Sequence, residues 1–182
     1  MHKEFDFAVD WRGFELHPET PKGGLPVAML LGPSRVSGMR EYMRRFAAGF
    51  GIEDMGSPER IPNTRRALAM AEYAREQGRV DAFRDAAMDA HWRRGENLEA
   101  GEDLLAVASR AELDPEAALS AADDATHQAR VDAIRAEASD QGVTGIPTFF
   151  VGDEVIVGCQ PYEVLAAAVR RAQGRSAAKN GG

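Results

Sequence analysis

Residues 142–161, Gly-Val-Thr-Gly-Ile-Pro-Thr-Phe-Phe-Val-Gly-Asp-Glu-Val-Ile-Val-Gly-Cys-Gln-Pro, restrict the fold more than any other stretch. Thr148–Val151 and Val155–Val157 are β-branched and aromatic runs, which suit a pleated, half-buried surface. Gly152-Asp153-Glu154 between them has the composition of a hairpin turn. Pro147 stands at the head of the first run, where a missing N–H does not interrupt a ladder. This is the one unambiguous β signal in the chain, so it is the sheet on which a mostly helical remainder has to pack.

The rest of the chain is read around that hairpin. Phe5, Ala8, Val9, Trp11, Phe14 and Leu16 interleave with polar residues and predict a strand over 5–15. The Pro- and Gly-rich stretch 17–36 reads as a long irregular connection. From Val36 to about Gly142 the apolar spacing is helical. Met39, Tyr42, Met43, Phe46 and Phe50 share one helix. Asn63 is placed as an N-cap, Gly78 and Gly95 as helix ends, and Asp114-Pro115 as a cap followed by a first-turn proline. A last helix is expected from Pro161 to Gly174, with residues 175–182 as a disordered tail. The predicted division is a sheet-bearing part, 1–35 with 142–174, around an all-helical insertion, 36–141. Met29, Met39, Met43, Met55, Met70 and Met88 are read as core filler rather than as a promiscuous apolar groove.

The 182 residues carry a formal charge of −7, which speaks against nucleic acid as a partner. No apolar run approaches the length needed to span a membrane, and no secretory signal is recognisable, so a cytoplasmic protein is expected. Cys159 is the single cysteine, so no disulfide can form within the chain. His2, His17 and His127 lack ligand spacing, and no metal site is expected. His91 is a candidate general acid or base, but a helical histidine more often packs or hydrogen-bonds between helices. Cys159 is a candidate nucleophile or mixed-disulfide site; without an identified base, a lone cysteine is more often inert.

Several words occur in one order along nearly the whole chain. They are Trp11-Arg12-Gly13-Phe14-Glu15-Leu16-His17-Pro18, Ile61-Pro62-Asn63-Thr64 with Ala67, Ala74-Arg75-Glu76-Gln77-Gly78, Ala90-His91-Trp92 with Gly95, Leu113-Asp114, Gly142-Val-Thr-Gly-Ile-Pro-Thr-Phe149 and Gly158-Cys-Gln-Pro161. In this the sequence resembles the DsbA-like branch of the thioredoxin superfamily, more narrowly its FrnE-type members. The resemblance implies an α/β thioredoxin-like fold with a helical insertion, and thiol:disulfide oxidoreductase activity on peptide or protein substrates. It also implies that Pro147 is a cis-proline facing the redox site, with Ile146, Pro147 and Thr148 offering backbone to an extended substrate and Cys159 beside them.

The departure from the family is that residues 1–182 hold neither its first strand nor its Cys-x-x-Cys helix. Exchange by a dithiol needs a low-pKa thiolate and a resolving cysteine. The expectation is therefore a truncated or degenerate member, redox-inactive as this chain, whose sheet could be completed by closure, by a homodimer or by another chain. Two alternatives accompany it. One is a glutathione-dependent isomerase or transferase of the 2-hydroxychromene-2-carboxylate isomerase or kappa type, in which Asn63 and Thr64 would lie near the cofactor, although helix capping is the preferred reading of Asn63. The other is a non-catalytic peptide-binding module.

Overall fold

The computed structural model describes Met1 and residues 3–180, with side chains reported up to Arg175. In chain order the elements are β1 (Leu25–Pro26), α1 (Val27–Leu31), α2 (Pro33–Ala48), β2 (Arg60–Ile61), α3 (Arg65–Glu76) and α4 (Val80–Asp89). A π-helical turn (Ala90–Arg94) follows, then α5 (Gly101–Arg110), α6 (Pro115–Ala122), α7 (Ala125–Asp140), β3 (Thr148–Val151), β4 (Glu154–Val157) and α8 (Tyr162–Asn180). No described helix is long and apolar enough to cross a membrane.

Two compact units divide the chain, one formed by residues 13–135 and the other by 1–12 with 136–182. In the helical unit, α3, α4, α5 and α6 enclose one core in which Met70, Leu104 and Val107 are fully buried. Local signals set its helix ends. The Asp114 side chain accepts a hydrogen bond from the Ala117 N–H at 3.0 Å and Pro115 opens α6, so the cap and the fixed φ start the helix together. Gly95, left-handed at φ +67°, stops the π-helical turn. Glu15 is buried and accepts hydrogen bonds from Arg65 (3.2 Å) and Arg135 (3.3 Å), so its charge is matched where water is excluded.

The segment expected as one irregular connection is partly ordered here. Leu25 pairs with Ile61 and Pro26 with Arg60, while the Arg60 guanidinium donates to the carbonyls of Gly23 and Gly24. These contacts tie residues 13–35 to the helical unit, so the boundary falls at Arg12/Gly13 rather than after residue 35. Three further expectations are corrected. Residues 5–15 form no strand, because a strand exists only with a ladder partner and these residues have none among the described ones. Phe5 is instead buried against Ala166 and Val169 of α8, under the Arg170 guanidinium 5.2 Å from its ring. Second, α8 runs past Gly174 to Asn180, since one interior glycine costs only about 1 kcal/mol of helix propensity; Gly181 and Gly182 lie outside the described residues. Third, Met29, Met39 and Met88 are exposed while Met70 is core, so periodicity did not separate these methionines.

Candidate functional site

The β3–β4 hairpin pairs Thr148 with Val157, Phe149 with Ile156, Phe150 with Val155 and Val151 with Glu154. Its two-residue turn, Gly152-Asp153, has a positive φ at the first position only (+61°), the type II′ pattern that matches strand twist. Period-two alternation then sorts the faces. Phe149, Val151, Glu154 and Ile156 share one face, and Val151 packs on the cluster formed by α8 and Phe5. Phe150, Val155 and Val157 share the other and are about half exposed. Glu154 fixes the hairpin to α8 by accepting two hydrogen bonds from Arg171, at 2.8 and 2.7 Å. Hydrogen bonding to Arg171, reinforced by Arg175, holds the Glu154 carboxyl down at about 2.

The approach to β3 presents the sequence-predicted site. The Thr148 hydroxyl donates to the Gly145 carbonyl at 2.7 Å, closing a tight turn around residues 146 and 147. The Gly158 N–H donates to the Pro147 carbonyl at 2.7 Å, which continues the ladder one step beyond Thr148–Val157. The Ile146–Pro147 peptide bond is cis. Ile146 is 54% exposed, and among the described residues neither its N–H nor its carbonyl has a hydrogen-bond partner. β4 ends at Val157, and after the left-handed Gly158 comes Cys159, an exposed free thiol. Ile146, Pro147 and Thr148 thus form one exposed turn leading into β3, and Cys159 follows Gly158, the residue bonded to the Pro147 carbonyl.

Asn63 belongs to the helical unit. Its side-chain carbonyl accepts from the Arg65 N–H (3.1 Å) and its amide donates to the Thr20 carbonyl (2.6 Å). It acts as a cap one residue before the helix boundary at Thr64 and anchors the preceding loop. It also lines a cavity of about 560 Å³ with Lys22, Arg65, Arg66, Glu99, Asp123 and Gln128. Arg66 is held in that wall by a paired contact with Asp123 (2.9 and 2.7 Å). This mixed-charge wall carried no sequence signal, because its members come from four separate segments.

His91 lines a second cavity, about 330 Å³, with Glu59, Arg60 and Glu96. Burial pushes its pKa below the usual imidazole value, partly opposed by a hydrogen bond to the Glu96 backbone. Its Nδ1 is buried without a partner among the described residues, and the ring packs edge-on against Trp92, at 4.7 Å between centroids. His17 contacts Glu19, and His127 contacts Asp124 and Glu76. Among the described residues no three His, Cys, Asp or Glu side chains converge as metal ligands.

Comparison with known proteins gives a consistent family. The profile of the DSBA-like thioredoxin domain matches residues 1–170. A crystal structure of a "probable DsbA oxidoreductase" from Streptomyces coelicolor superposes with a TM-score of 0.79 and 28% identity, covering 90% of this chain and 74% of that one. The uncharacterized Bacillus subtilis protein YwbO is 25% identical over 167 residues, 90% of this chain and 82% of its own length. A 2-hydroxychromene-2-carboxylate isomerase shares the fold at a TM-score of 0.70 and 21% identity, covering 98% of this chain and 85% of that one.

Proposed function

Because this chain belongs to the DSBA-like thioredoxin domain family, we propose that it receives thiol or disulfide peptides as a FrnE-type, DsbA-family thiol:disulfide oxidoreductase does, at the Ile146–Pro147–Thr148 edge. The observation that carries the reading is the exposed Ile146 main chain, whose N–H and carbonyl are both unused. An extended peptide satisfies both by adding as a strand, a mode in which main-chain hydrogen bonds supply affinity for many sequences. Thr148 shapes the turn, and the Gly158–Pro147 bond holds the opposite strand in register beside it.

The thiol chemistry follows from the residues present. The Cys159 thiolate attacks one sulfur of a substrate disulfide; the new Cys159–substrate bond forms, the old sulfur–sulfur bond breaks, and the displaced half leaves as a thiolate. With a single cysteine in residues 1–182, no second thiol of the chain can release the bound half. Exchange by these residues alone therefore stops at the mixed disulfide, and an external thiol has to resolve it. The test is insulin reduction with dithiothreitol, alongside intact mass after exposure to a peptide disulfide. Residues 1–182 should not accelerate insulin precipitation and should gain one adduct, which Cys159→Ser abolishes. Sustained turnover would overturn the reading.

A glutathione-dependent isomerase or transferase is the second reading. It is favoured by the mixed-charge cavity at Asn63, whose Lys22, Asp123 and Glu99 suit a peptide bearing both carboxylates and an ammonium. Calorimetric titration with glutathione separates the two: heat that vanishes in Lys22→Glu favours this one, and no heat removes it.

A further inference from the structure

In the helical unit, α2 carries an apolar stripe that the chain leaves uncovered. Met39, Tyr42 and Phe46 follow one another at intervals of three and four on one face of α2, and Phe50 continues the line just past the helix end. All are exposed, Tyr42 to 56%, while Ala47 is the buried residue of the helix. Their rings touch in series, Tyr42 stacked on Phe46 at 6.1 Å and Phe46 edge-on to Phe50 at 5.3 Å. The short α1 preceding α2 exposes Met29 (74%) and Leu30. Single exposed apolar residues are ordinary, but a continuous aromatic ladder marks a binding surface.

Charge selects the occupant. In a chain of net −7, α2 bears four arginines against one glutamate. Glu41 is taken by Arg44 (3.0 Å) and Arg45 (3.6 Å). Among the described residues the Arg35 and Arg40 side chains make no hydrogen bond or ion pair. Arg35 lies four residues before Met39, at the head of the stripe. A second copy of the chain laid stripe to stripe would bring like-charged arginines together. An anionic bilayer would meet these same arginines but repel the remainder of the molecule, which is more acidic than the chain as a whole. A partner helix with an apolar face and flanking Asp or Glu side chains satisfies both features and needs to approach only α2. We propose that the α2 stripe is a docking surface for an acidic amphipathic helix of another protein.

The test uses the full chain and a labelled synthetic peptide helix of about four turns, with Leu at i, i+3, i+4 and i+7 and Glu on its flanks. Fluorescence anisotropy should show saturable binding that weakens as salt rises. Tyr42→Ser with Phe46→Ser should reduce affinity about tenfold or more, as loss of paired aromatic anchors does. Arg35→Glu with Arg40→Glu should reduce it for the Glu peptide and improve it for a Lys-flanked version. Arg35, Tyr42 and Phe46 are exposed on α2 and Arg40 is half-buried, and circular dichroism checks that the variants remain folded. Several results would overturn the proposal: no binding of the Glu peptide, equal binding of the Lys peptide, co-sedimentation with vesicles of equal phosphatidylglycerol and phosphatidylcholine, or self-association that Phe46→Ser abolishes.

Discussion

Replacing Gly152 with alanine tests whether the hairpin turn and α8 together hold the edge strand in place. At φ +61° an L side chain is strained by about 1–2 kcal/mol. An added Cβ would also sit 3.3 Å from the Ala172 Cβ, tight enough to require a small shift of α8 or of the turn. Summed, Gly152→Ala should weaken the hairpin by about 1–3 kcal/mol, a factor of about 5 to 150 in its opening equilibrium. Native-state amide exchange reads this directly: β3 and β4 amides should exchange faster by that factor, while α3–α6 amides hold their protection. Gly174→Ala is the matched control, because nothing lies near its added Cβ, and it should stabilise α8 by up to about 1 kcal/mol. Unchanged hairpin exchange in Gly152→Ala, or a loss shared equally by both units, would refute the turn-and-helix account.

Two other perturbations follow from the same contacts. Leu104→Ala removes a fully buried side chain from the helical core and should cost about 2–5 kcal/mol in urea unfolding followed by circular dichroism; a loss under about 1 kcal/mol would mean that this core is loosely packed. Glu154 has its carboxyl pKa lowered from 4.5 to about 2, so the unfolded chain binds its proton first as pH falls. Its contribution is therefore complete above pH 4.5 and lost as pH drops toward 2. Protection of the hairpin amides, taken relative to the intrinsic exchange rate at each pH, should fall across that window, and Glu154→Gln should flatten the fall.

How much of this was readable in advance depended on whether a feature is local. The hairpin was, because β-branched residues on either side of Gly152-Asp153 specify both strands and the turn. The start of α6 and the end of the π-helical turn were too, since Asp114-Pro115 and Gly95 act within a few residues. Residues 5–15 alternate as a strand would, but alternation reports only a capacity to pair, and the ladder partner has to come from elsewhere. The α2 stripe shows the same limit from the other side: periodicity finds an apolar face without saying what covers it. At the candidate site, Ile146, Pro147 and Thr148 stood out as one word. Cys159 is linked to them only through the Gly158–Pro147 bond, and the cavity at Asn63 depends on Lys22, Glu99 and Asp123 arriving from distant segments.

The most direct test of the substrate edge combines one adduct with one amide. The chain is treated with an extended peptide disulfide, the Cys159 adduct is isolated, and exchange of the Ile146 N–H is followed by NMR. The account predicts marked slowing at Ile146 in the adduct, and no slowing when Cys159 instead carries a small adduct without a peptide backbone. Equal exchange at Ile146 in both adducts would contradict it, since the main chain beside Pro147 would then be idle while the thiol reacts.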